Sequence, residues 1–235
     1  MTARTNARHG FRNSSRRPLQ RATDRLPKKL PVIRLRHGQA IWLLTELGYR
    51  GAASKDTFYE YIKSLRKLGI PFGRAKFVTK HGGRRLAGYS YCHLMELAIA
   101  LSLRVYHVVP DSVLREIIRY RSRLYRFYRK AYKQRRSGPG APIAIIRHRQ
   151  KPVEFRGLFL DLNIDFSGGD LVHFGPPRLL SSAEALRGFS ASIVSASPFL
   201  PTSLSLLSER LITLALRVPD IHSGPLGRLE ANAGG

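Results

Sequence analysis

The sequence predicts an α+β chain, helical through its first two thirds and strand-bearing toward its end. Three observations predict it. Apolar residues recur at helical spacing in four windows between residues 38 and 136. Runs of strand type, broken by paired glycines, occur around Gly82–Gly83 and Gly168–Gly169. The formal charge of +26 is carried wholly by the first 151 residues, the remainder being slightly acidic.

The charge distribution bounds the partners. Residues 1–36 hold 11 Lys/Arg against 1 Asp/Glu, 37–111 hold 11 against 5, and 112–151 hold 13 against 1. Residues 152–235 reverse the balance, with 6 against 8. So strong and localised an excess implies a polyanionic partner, chiefly nucleic acid. Cys92 is the only cysteine, which excludes an internal disulfide or a thiolate cluster and suits a reducing compartment. No run of 18 apolar residues exists, so no membrane span is expected. Residues 1–30 lack apolar periodicity and read as a disordered basic arm. Arg16–Arg17 is followed by no apolar stretch, which argues against a secretory signal.

Order is expected from about residue 31. In "HGQAIWLLTELG", Ala40, Ile41, Leu43, Leu44 and Leu47 make one helix, stopped by Gly48. Ser54 can cap the next, "KDTFYEYIKSLRKLGI". Phe58, Ile62, Leu65 and Leu68 form its buried stripe, leaving Lys55, Tyr59, Lys63, Arg66 and Lys67 outward. "KFVTKHGGRRLAGY" reads as a hairpin carrying Lys76, Lys80, Arg84 and Arg85. Ser90 can cap a helix that is apolar nearly all round and therefore buried, and Pro110 closes it.

A long basic helix is expected over 111–136 or 137. Leu114, Ile117, Ile118, Leu124, Tyr128, Ala131 and Tyr132 form its seam, interrupted by Arg121. Such a seam is buried against its own chain or pairs two chains. The other faces carry Arg119, Arg123, Arg126, Arg129, Lys130, Lys133, Arg135 and Arg136, which can contact a phosphate backbone or simply face solvent. "SGPGAP" marks a linker, 138–142. Beyond it, 143–235 is expected to be a small β-hairpin-plus-helix module. Its strand should place Leu158, Leu160, Leu162, Ile164 and Phe166 on one covered face, and Asp161, Asn163 and Asp165 on a wet one.

The order helix, helix, hairpin, helix, long helix is that of a winged helix-turn-helix with a dimerisation arm, over 31–110 and 111–137. "YSYCHLMELAIALSLR" resembles the segment after the wing in MerR-family regulators. Tyr89, Ser90, Leu94, Leu97, Leu103 and Arg104 fit that form, while His93 replaces its aspartate. "TFYEYIKSLRKLGIPF" is similar to the family's second helix. The resemblance covers about 37–136; the family's wing arginine just after Gly-Tyr is absent here. It implies a homodimer through helix 111–136, two DNA half-sites, and 54–68 as the recognition helix. The metal-responsive members' cysteines near the end of the long helix are missing, so metal sensing is not implied.

The expected DNA-binding residues are Lys55, Tyr59, Lys63, Arg66, Lys67, Lys76, Lys80, Arg84, Arg85 and Tyr89. No cofactor, metal or catalytic residue is expected. "DLNIDFSG" lacks the glycine and the closing glutamate of a calcium loop, standing as Phe166 and Val172. "GFSAS" lacks the closing glycine of a nucleophile elbow, and no Walker, GxGxxG or HExxH motif occurs. The expectation is a sequence-specific duplex-DNA binder, a transcriptional regulator in the cytoplasm at the nucleoid. Its C-terminal module would serve an effector or a protein partner. The competing expectation is a non-specific nucleic-acid scaffold, nucleoid- or RNA-associated.

Overall fold

The computed structural model of the 235-residue chain describes residues 33–72, 88–106, 109–137, 140–148, 151–165, 173–195 and 202–219. The basic arm, 1–30, and the hairpin carrying Lys76, Lys80, Arg84 and Arg85 lie outside the described residues. Among the described residues the chain is α+β, with seven helices and small antiparallel sheets.

Strand β1 (Arg34–Leu35) leads into α1 (His37–Glu46), and the chain then turns into α2 (Lys55–Leu68). Ser54 caps α2 as expected, its Oγ accepting from Thr57 N at 3.1 Å. Gly69, at φ 95°, ends it in the left-handed conformation that a side chain resists. Phe58, Ile62 and Leu65 are buried, as their spacing predicts. β1 pairs antiparallel with β2 (Tyr89–Ser90), with Leu35 opposite Tyr89.

Helix α3 (Tyr91–Tyr106) begins with a reciprocal cap. His93 N donates to Ser90 Oγ and Ser90 N donates to His93 Nδ1, at 3.4 and 3.3 Å. Leu94, Met95, Leu97, Ala98, Ala100 and Leu101 are wholly buried, so α3 forms the axis of the core. Glu96, on this apolar helix, is wholly buried too.

The single long helix expected over 111–136 is two helices, α4 (Asp111–Arg119) and α5 (Arg121–Ser137). Tyr120, at φ −95° and ψ 9°, closes one and opens the other. Its N–H donates to Glu116 O at 2.9 Å and its carbonyl accepts from Leu124 N at 3.0 Å. Arg121, the first residue past the break, turns its side chain inward to Glu96 where the seam would otherwise be apolar.

The C-terminal part shares the same core. Residues on both sides of 138–142, Leu114, Leu124 and Tyr128 before it and Leu160, Leu204, Leu207, Leu211 and Ile212 after it, belong to one hydrophobic cluster. The segment expected as a linker thus does not separate two cores. The hairpin of β3 (Ala144–His148) and β4 (Lys151–Phe155) precedes β5 (Leu158–Asp161). The short strands β6 (Ile164–Asp165) and β7 (His173–Phe174) pair antiparallel where the later hairpin is expected, its Gly168–Gly169 turn lying outside the described residues. β8 (Arg178–Ser181) leads to α6 (Ser182–Ser195), and β9 (Thr202–Ser203) to α7 (Leu204–Ala215).

β5 lies between β8 and β9 and is covered on both faces, not on one. Leu160 joins the main core. Phe159 points the other way and stacks on Phe155, with ring centroids 5.6 Å apart, in a second cluster with Ala185 and Phe189. Asp161 is therefore buried rather than wet. Its Oδ2 accepts from Arg178 at 2.6 Å and its Oδ1 from Asn163 N at 2.7 Å, so the carboxylate is committed to structure.

Helix α7 lies along α5. The Tyr91 hydroxyl is 2.9 Å from Ser208 Oγ and 3.2 Å from the Tyr128 carbonyl, joining α3, α5 and α7. Ser205 Oγ donates to Gln134 at 2.9 Å and accepts from Leu158 N at 2.8 Å. Gly157, at φ 73°, passes so close that a Cβ would lie 2.4 Å from Ser205 Oγ.

Candidate nucleic-acid interface

Helix α2 presents the expected outward residues unequally. Lys55, Lys63 and Lys67 are exposed. Lys55 Nζ sits 5.9 Å from the centroid of the Tyr59 ring, and Lys63 Nζ donates to Glu60 at 2.9 Å. Tyr59 is half-buried, and burial followed by the charge of Asp56 raises its phenol pKa. Arg66 is half-buried and close enough to Tyr89 for its charge to favour the phenolate there, although burial outweighs it and raises that pKa. The outer arc of α2 thus consists of three exposed lysines interleaved with Asp56 and Glu60, bordered by Tyr59 and Arg66.

Tyr89, expected to touch DNA, is a core residue with 1% exposure. As the partner of Leu35 in the β1–β2 pair it faces inward. Its hydroxyl lies 2.9 Å from His37 Nδ1, and its ring meets Phe72 edge-on at 4.9 Å. Phe72 and Tyr89, the one just before residues 73–87 and the other two positions after them, are therefore in contact beside the C-terminal end of α2. The sequence 73–87 holds Arg74, Lys76, Lys80, Arg84 and Arg85 and no acidic residue.

The end of α2 is held by a buried charge cluster. Glu96 accepts from Arg121 Nε at 3.0 Å, from Arg121 Nη2 at 2.7 Å, and from the Tyr125 hydroxyl at 2.7 Å. Arg121 Nη2 also donates to Gly69 O, the carbonyl just past α2, at 2.7 Å. One guanidinium therefore ties α2, α3 and α5 together. Burial raises the Glu96 carboxyl above its ordinary range, with Arg121 and Tyr125 opposing that shift. Arg104 adds a second tie, 2.9 Å from Asp111 and 3.5 Å from Ser64 Oγ of α2. Sequence reasoning passed over the cluster. Its two signals were a lone glutamate in an apolar helix and a lone arginine in an apolar seam.

Helix α5 faces outward with Arg126, Arg129, Lys130 and Lys133 exposed, and with Arg123 laid over Phe127 at 5.8 Å. Its inner side is filled by its own chain: Leu124, Tyr128 and Ala131 are 0–1% exposed, as are Leu114 and Ile117 on α4. The homodimer expected through helix 111–136 loses its basis for that reason, since α3 and α7 already occupy the seam. Among the described residues no helix is long and apolar enough to cross a membrane, and no cluster of side chains suited to a metal ion is found.

No family model, no curated protein and no solved structure matches this chain.

Proposed function

We propose that the chain binds double-stranded DNA sequence-specifically, as a transcriptional regulator of winged helix-turn-helix type. Helix α2 would read base edges in the major groove, and residues 73–87 would form the wing over phosphate. The observation that carries this reading is the junction of the two. An exposed lysine face on a firmly held helix stands beside the contact of Phe72 with Tyr89, the residues that flank the basic sequence 73–87. The support for α2 as the reading element is mechanical as well as electrostatic, because Arg121 fixes its exit carbonyl. MerR-like order of elements and the excess of +26 agree with it. With the seam filled, an asymmetric target is expected rather than two inverted half-sites.

Selection of bound duplexes from a random library tests the proposal. Enrichment of a non-palindromic consensus is expected. Lys63→Ala with Lys67→Ala should then cost about 1–3 kcal/mol of discrimination per lost base contact, read by fluorescence anisotropy on enriched against random duplex. A library that shows no enrichment refutes the proposal and returns the chain to a sequence-blind scaffold.

A further inference from the structure

We infer that the outer face of α5 is a second nucleic-acid contact, a rail for the phosphate backbone of duplex DNA that operates without regard to sequence. The inference rests on the DNA-binding reading above and assigns to α5 a role separate from that of α2.

The geometry is that of a fixed cationic stripe. At 100° per residue, Arg126, Arg129, Lys130 and Lys133 fall within about 100° of the helix circumference. All four are exposed. Arg123, stacked on Phe127, borders the stripe. The opposite side of the helix is anchored by Leu124, Tyr128 and Ala131 in the core and by Arg121 on Glu96, and its flank by Gln134 on Ser205. The backbone carrying the cations is therefore set before any partner arrives. From residue 123 to 133 the stripe runs about 15 Å, a length over which one strand of B-DNA presents about four phosphates.

Charge complementarity chooses the partner. On α2, α3 and α4 one basic side chain each is paired with a nearby acid: Lys63 with Glu60, Arg104 with Asp111, and Arg119 with Glu116. On α5 the pattern changes. No acidic residue occurs between Glu116 and Glu154, and no ion pair among the described residues includes the four exposed cations. A solvated surface helix ordinarily carries both signs. A face of one sign on a rigid mount suits a partner that is itself a regular line of one sign. A line of cations spaced to one phosphate strand is suited to positioning the duplex rather than to reading base edges.

The full-length chain, titrated by fluorescence anisotropy with a random-sequence duplex over a range of salt, tests this. The variant R126Q/R129Q/K130Q/K133Q should make the slope of log affinity against log salt shallower by about 3–4, the release expected for four phosphates. Its ratio of affinity between enriched and random duplex should stay unchanged. R126K/R129K, which keeps the charge, should keep the parent slope. The lighter variant R126Q/K133Q spares Arg129, which also bonds to the Cys92 thiol, and should lose about half as much slope. A quadruple variant with the parent slope on duplex overturns the inference. If Lys63→Ala with Lys67→Ala still removes discrimination in that case, the reading of α2 survives alone. If the quadruple variant flattens the slope while the α2 variant keeps discrimination, α5 stands and α2 falls. A greater loss on single-stranded RNA than on duplex overturns the choice of partner.

Discussion

Helices α2 and α5 are both anchored by apolar stripes and both turn lysine or arginine outward, yet their outer faces differ in kind. α2 interleaves its cations with Asp56 and Glu60, and one of the lysines is already engaged at 2.9 Å. α5 carries cations alone. An acid among bases penalises a misplaced phosphate and can accept from a base edge, so a mixed face can choose between sequences. Cations that meet phosphate carry no sequence information directly and contribute affinity and encounter rate. On the proposed reading the two helices would divide recognition from attraction, and one residue, Arg121, mechanically couples them.

That coupling is the place to break the comparison most severely. Arg121→Ala leaves Glu96 buried without its cation and frees the carbonyl of Gly69. A loss of about 3–5 kcal/mol in urea unfolding is expected, with discrimination and salt-dependent affinity declining together. A loss below about 1 kcal/mol would mean that the guanidinium is ornamental.

The next change should make α2 resemble α5. Asp56→Asn with Glu60→Gln removes both acids from the reading face. Affinity for random duplex should rise on the order of fivefold while the preference for an enriched site shrinks. An unchanged preference would show that the acids take no part in choosing.

The smallest effect concerns pH. Burial holds the Glu96 carboxyl above its ordinary value of 4.5, so the folded chain binds that proton more tightly than the unfolded chain. The resulting stabilisation is complete below the unfolded value and is lost as pH rises through the raised one. Glu96→Gln should remove this decline from the stability profile above about pH 4.5, followed as the urea midpoint. A profile that keeps its slope would place the titration elsewhere.

Local patterns were legible in the sequence where periodicity and capping act alone. The stripe Phe58, Ile62, Leu65 and the caps at Ser54 and Ser90 needed only local rules. Tyr89 was misread because a tyrosine beside a basic segment looks outward until its pairing with Leu35 turns it inward. Strand β5 was misread because alternating leucines suggest one covered face. Whether a second layer covers Phe159 depends on α6 and the β3–β4 hairpin, which are contacts no local pattern encodes. Helix 111–136 showed a seam, but a seam does not name its partner. The answer lay in α7, some eighty residues further on, as the Tyr128 carbonyl's contact with Tyr91 beside Ser208 illustrates.

Gly157 has a consequence of another sort. Where it skirts Ser205 there is no room for even a methyl group, and Ser205 in turn holds Gln134 of α5. The helix that would run along DNA is thereby built together with residues that come long after it in the chain. Such a protein is poorly suited to inheritance as interchangeable cassettes. A recombination that joined its reading helices to a foreign C-terminal half would have to bring a matching glycine, serine and α7 surface, so the two halves would be expected to travel through evolution as one piece.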